Sequence, residues 1–208
     1  HPVRGMIGPD EFITLAEQAG LIGQLTHLVL RKVICQVRQW ISMGVDVAVS
    51  VNVSALDLSE EGFTERVMEL LREHGVQPSR LTLEMTESTV IRDVNLAREV
   101  MRRLRDSGVH FSIDDFGTGY SSLAQLRSLP LHELKIDKSF VLNLTESQED
   151  VLIVRSTIEL AHNMGLVVCA EGVESKAAVE LLRNLNCDIG QGYCISRPVP
   201  AGAFADWL

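Results

Sequence analysis

No CxxC pair and no tight group of cysteines with histidines occurs among the 208 residues; the four cysteines stand apart at 35, 169, 187 and 194. A zinc site or a disulfide framework needs closer grouping, so isolated thiols packed in a reducing compartment are expected. No apolar run approaches the roughly 18 residues of a membrane span, and the first residues lack the basic-then-apolar order of a signal peptide. Basic residues are also too few for a broad grip on a nucleic acid backbone. The 19 Lys and Arg stand against 28 Asp and Glu, a net charge of −9, which argues against DNA as a partner. No repeat and no linker rich in Gly, Pro or Ser divides the chain, so residues 1–208 read as one domain. An acidic protein still binds phosphate esters when metal ions mediate the contact.

What is present is the balance of an ordinary folded protein, 46% apolar and 23% charged. Helices are expected at 9–19, 22–43, 59–74, 94–107, 121–128, 148–164 and 175–184, and again from Ala201. Short strands are expected at 46–53, 80–86, 109–114, 132–137, 166–171 and 187–192. Alternation on this scale means parallel βαβ units, either as an open doubly wound sheet or as a closed (β/α) barrel.

Strand phase favours the barrel. Val47, Val49, Val51 and Val53 share one face of the first strand, with Ala48, Ser50 and Asn52 on the other. The same alternation sets Leu81, Leu83 and Met85 against Glu84, and Phe111 and Ile113 against Ser112 and Asp114. Six consecutive strands thus finish in a polar side chain: Asn52, Glu84, Asp114, Lys135, Glu171 and Gln191. An open sheet gathers ligands at one switch point, whereas a closed barrel brings all strand ends to one mouth. Six strands fall short of eight, and the chain opens at His1-Pro2, so an upstream segment is expected.

Asn52, Glu84, Asp114, Asp115 and Glu171 make an all-oxygen donor set, which suits Mg²⁺ or Mn²⁺ better than zinc. Adjacent Asp114 and Asp115 would let one carboxylate bridge two ions, as in two-metal phosphate chemistry. The plainer alternative is that each acid caps a helix or pairs with a surface lysine. Lys135 is either a counter-charge for these acids or the holder of an attacking water or phosphoryl oxygen. Glu171 suits metal or base work, and the Gln191 amide can orient water. The loop Asp115-Phe116-Gly117-Thr118-Gly119-Tyr120-Ser121-Ser122 either cradles phosphate or positions the two aspartates.

These motifs resemble a known family. Asn52-Val53-Ser54, Glu84-Met85-Thr86-Glu87, Asp114-Asp115-Phe116-Gly117-Thr118-Gly119, Lys135-Ile136-Asp137, Glu171-Gly172-Val173-Glu174 and Gln191-Gly192-Tyr193 are similar, in order, to EAL-domain cyclic-di-GMP phosphodiesterases. The resemblance implies a TIM-like (β/α)8 barrel with two Mg²⁺ or Mn²⁺ ions, cleaving cyclic-di-GMP to linear pGpG in bacterial second-messenger signalling. It implies metal ligation by Asn52, Glu84, Asp114, Asp115 and Glu171, catalytic roles for Lys135, Glu171 and Gln191, and support of the 115–122 loop by Glu87. Asp137 and Glu174 match motif positions implied to contact substrate. A homodimer near that loop, a cytoplasmic location and upstream sensor or nucleotide-cyclase domains are implied as well.

One departure stands out. The Glu-Ala-Leu signature and its strand hairpin, expected just upstream of His1-Pro2-Val3-Arg4-Gly5, are absent. With them go one metal-binding Glu and one substrate-contacting Arg, so residues 1–208 by themselves are expected to be inactive and poorly stable. The rival functional reading is a receptor that binds cyclic-di-GMP without cleaving it. A barrel hydrolase of another phosphate ester is a third.

Overall fold

A computed structural model describes residues 1–87, 89, 94–118 and 123–208. Two helices, α1 (Pro9–Gln18) and α2 (Ile22–Ser42), lead into β1 (Val49–Asn52), α3 (Ala55–Ser59) and α4 (Phe63–His74). The chain continues through β2 (Leu81–Thr86), α5 (Val94–Asp106), β3 (His110–Phe116), α6 (Leu123–Ser128) and β4 (Glu133–Ile136). It ends with α7 (Lys138–Val141), α8 (Gln148–Asn163), β5 (Val167–Glu171), α9 (Lys176–Asn184), β6 (Ile189–Gln191) and α10 (Ala201–Trp207).

The strands form one parallel sheet in the order β1-β2-β3-β4-β5-β6. Their apolar phase packs under the helices: Leu83, Met85, Phe111, Leu134 and Val168 are buried on the sheet, and Met101, Leu104, Val154 and Ile158 cover them from α5 and α8. The other phase faces inward. Lys135 on β4 reaches carboxylates on β2, β3 and β5 together, the convergence that the concave face of a barrel produces. The ring of helices comes back on itself, since Phe204 of α10 packs on Trp40 of α2 with centroids 4.9 Å apart. The architecture is therefore six staves of a TIM-like α/β barrel, as the strand phase indicated.

Three details differ from the sequence reading. β1 is shorter than 46–53. The helix expected at 59–74 begins only at Phe63, as α4, and a separate short helix, α3, precedes it where Ser54 and Asp57 form a capping box. Gly62, at φ 79°, then breaks the chain before α4. The short helix α7 was not anticipated: it begins where the Asp137 carboxylate accepts from the Ser139 N–H, a local cap that periodicity does not reveal. The helix expected at 121–128 is described only from Leu123 onward.

Asp188, just ahead of β6, ties three elements together. It accepts from the Val168 N–H at 2.8 Å and pairs with His162 Nε2 at 2.9 Å. Burial opposes its charge, yet the hydrogen bonds from His162 and Val168 outweigh burial and hold its pKa below the usual carboxylate range. A lowered pKa means that the folded state binds fewer protons than the unfolded one. This contribution is present above the unfolded value and lost as pH falls through the lowered folded value. Asp188→Asn is expected to lower the melting temperature at neutral pH, with the difference shrinking as pH drops below about 4, the ordinary aspartate value. Melts of both proteins across that range check it; a gap that stays constant with pH would refute the linkage.

Candidate active site

The polar strand ends meet at the C-terminal mouth of the sheet. Lys135 is 3% exposed, and its Nζ lies 3.2 Å from Glu84 Oε2, 3.3 Å from Asp114 Oδ1 and 2.5 Å from Glu171 Oε1. Burial works against its charge, but the Glu171 hydrogen bond and the charges of Glu84 and Asp114 prevail and raise its pKa above that of an ordinary lysine. Lys135 is thus a fixed cation and a hydrogen-bond donor, with no proton to accept.

Asp114 and Asp115 are neighbours in a strand, so regular geometry would send them to opposite faces. The structure resolves the conflict with a bulge. Ile113 pairs with Leu134 and Phe116 with Ile136, which leaves one extra residue on β3 between them. Asp115 takes a left-handed conformation, φ 55°, and its N–H donates to Asp114 Oδ1 at 3.0 Å. As a result Asp114, Asp115 and Glu171 each offer a carboxylate oxygen within 4.8 Å of the others.

Such crowding has a cost in charge. Burial first, then the charges of Asp114, Asp137 and Glu171, raise the Asp115 pKa. For Asp137 burial pulls upward, but the Ser139 hydrogen bonds prevail and its pKa is lowered. Burial raises Glu171 too, against the pull of Lys135. Three convergent carboxylates, two of them with raised pKa values, fit a hard divalent cation whose charge would offset theirs. A thiol takes no part: burial and Glu133 push the Cys169 pKa up to about 12.

The family model of the EAL domain matches residues 1–198. The chain belongs to the EAL domain family. It is 42% identical over 210 residues to the uncharacterized protein Rv1354c of Mycobacterium tuberculosis, covering 100% of this chain and 34% of that protein. It is 43% identical over 202 residues to the bifunctional diguanylate cyclase/cyclic di-GMP phosphodiesterase MucR of Pseudomonas aeruginosa, covering 97% and 30%. The chain therefore spans about a third of the length of these relatives. Among solved structures, the MucR phosphodiesterase in complex with c-di-GMP superposes with a TM-score of 0.93 at 42% identity, covering 98% of this chain and 83% of that one.

Within this EAL domain the structure places the motif residues in four settings. Glu84, Asp114, Asp115, Lys135, Asp137 and Glu171 are brought into mutual contact. Asn52 and Gln191 lie on the outer strands, exposed, one in register with Glu84 and the other with Glu171. Glu87 is buried just past β2, while part of the 115–122 loop it was expected to support, residues 119–122, lies outside the described residues. Glu174 is exposed on the turn before α9.

Sequence reasoning passed over two glycines that shape these strand ends. A Cβ on Gly192 would meet the Val173 backbone N and O at 2.3 Å, and one on Gly172, at φ 71°, would meet Lys138 Cβ at 2.6 Å. Only glycine permits these approaches, so the backbones bearing Glu171 and Gln191 lie closer to their neighbours than any side chain would allow. Their places directly after Glu171 and Gln191 were the available signal.

Proposed function

We propose that this EAL domain is a metal-dependent phosphodiesterase that hydrolyses one ester bond of cyclic-di-GMP to give linear pGpG. One observation carries the reading: a buried, permanently charged Lys135 holds Glu84, Asp114 and Glu171 beside the bulged Asp115. Asn52, Glu84, Asp114, Asp115 and Glu171 would hold two Mg²⁺ or Mn²⁺ ions. Bound ions would supply Lewis-acid neutralisation of the phosphodiester and acidify the attacking water. Lys135 donates to that water or to a phosphoryl oxygen and keeps its own proton. Glu171, with its raised pKa, is the better proton acceptor of the pair. Gln191 orients water through its amide. Asp137, 8% exposed and capped onto the Ser139 N–H, and the exposed Glu174 would contact substrate.

The relatives are much longer than this chain, so upstream sensor or nucleotide-cyclase domains, a homodimer and a cytoplasmic setting belong to the same proposal. The test is incubation of the full natural-length protein with cyclic-di-GMP and Mg²⁺, separating cyclic from linear product. Turnover to pGpG that stops on chelation is expected. Tight binding without turnover would replace the enzyme with a receptor. Cleavage confined to other phosphodiesters in a substrate panel would overturn the nucleotide assignment.

A further inference from the structure

The short helix α7 touches both metal-bearing strand ends. It follows Lys135 on β4, and its capping residue Asp137 accepts from the Ser139 N–H at 3.0 Å. On one side the Lys138 backbone and Cβ abut Gly172, directly after Glu171. On the other, the Phe140 ring lies on Gly117, two residues after Asp115: a Cβ on Gly117 would meet Phe140 Cε2 at 2.9 Å. Gly117 is at φ 102°, open to glycine and strained for other residues. Between the two, Thr118 N–H and Oγ1–H donate to the Asp115 carbonyl at 3.3 and 2.9 Å and close the turn.

We propose that Phe140 is a positioning residue whose ring, packed on Gly117, holds the bulged turn that aims Asp115 at the acidic cluster. The physical need is plain. Asp115 sits in a left-handed conformation that is unfavourable for a residue with a side chain, and its carboxylate is pressed towards other carboxylates. Local hydrogen bonds alone let such a turn relax outward. A rigid ring against the Gly117 face, which carries no side chain, removes the space into which the turn would relax. The turn and its wedge come from segments more than twenty residues apart, so α7 couples the geometry of β3 to that of β5.

This inference rests on the metal-binding reading of the cluster, and its test uses Mn²⁺ alone. In the full natural-length protein, Phe140→Leu and Phe140→Met remove the flat ring but keep apolar volume. Val141→Ala, at a site 1% exposed in the same helix, is the control for simple loss of packing. Mn²⁺ affinity is read by electron paramagnetic resonance well below the melting temperature of each variant. Both Phe140 variants are expected to weaken Mn²⁺ binding by about 10–100-fold, the range for losing support behind a ligand. Their kcat is expected to fall with KM for cyclic-di-GMP little changed, and Val141→Ala is expected to melt lower with parental Mn²⁺ affinity. Parental affinity in both Phe140 variants, or an equal loss in Val141→Ala, overturns the proposal. If the Mn²⁺ pattern appears while even the parent cleaves no cyclic-di-GMP, the positioning role stands and the phosphodiesterase reading falls.

Discussion

Lys135→Met is expected to disable the site and, without metal, to destabilise the whole domain. Three carboxylates depend on this one ammonium, and Lys135 and Glu84 are both nearly closed to water. Removing one partner of a buried ion pair leaves uncompensated charge, at a cost of about 3–5 kcal/mol. Stability should return by two routes. Lower pH neutralises carboxylates left without their counter-charge: the Glu171 pKa, already raised by burial and raised further without the lysine, favours the folded state below the unfolded value and loses that benefit as pH rises through the folded value. Divalent cations supply the missing positive charge directly. Turnover should fall by about 10²–10⁴-fold at saturating Mg²⁺, as for loss of one positioned proton or charge donor. Denaturant melts at several pH values, with and without Mg²⁺, read the first effect and product formation reads the second. A variant as stable as the parent at neutral pH without metal would show that Lys135 is not the electrostatic centre of the cluster.

Asp114→Asn is expected to lower metal affinity and turnover together. Asp114 is the carboxylate shared by the two halves of the site: it contacts Lys135, accepts from the Asp115 N–H, and lies within ligand distance of Asp115 and Glu171. An amide keeps the shape and loses the charge, so the variant should fold while binding Mn²⁺ more weakly. Turnover should drop by at least about 10²-fold, because a bridging carboxylate would contribute to both ions. Calorimetric titration with Mn²⁺ beside a rate measurement checks both. Near-parental turnover at ordinary Mg²⁺ would remove Asp114 from the metal site.

Much of this was legible in the residues because a parallel strand has period two. Glu84, Asp114, Lys135 and Glu171 share their strand phase and stand near the strand ends, and that alone places four side chains around one mouth. The apolar phase was equally plain, which is why Leu83, Phe111, Ile113, Leu134 and Val168 are found buried where the alternation put them. Sequence placed α1, α2, α5, α8 and α9 well, where two or more turns of periodicity accumulate, and also the start of α10 at Ala201. Two short helices, α3 and α7, fall outside that reading because a local cap decides them. α3 starts at the Ser54–Asp57 box and α7 at the Asp137 cap.

The strand alternation and the ordered motifs, with the acidic residue types they carry, were determined by the sequence alone, because each is a local pattern along the chain. Only the tertiary structure decided how two consecutive aspartates serve one site. Alternation would have turned Asp115 away from Asp114; the register shift against β4 and the positive φ of Asp115 bring it back. The same holds for the charge states. Lys135 is a locked cation, and the Asp115 pKa is raised by burial and by the charges of Asp114, Asp137 and Glu171, because strands far apart in sequence converge there. Pair distances across a barrel mouth set those energies, and spacing along the chain does not record them.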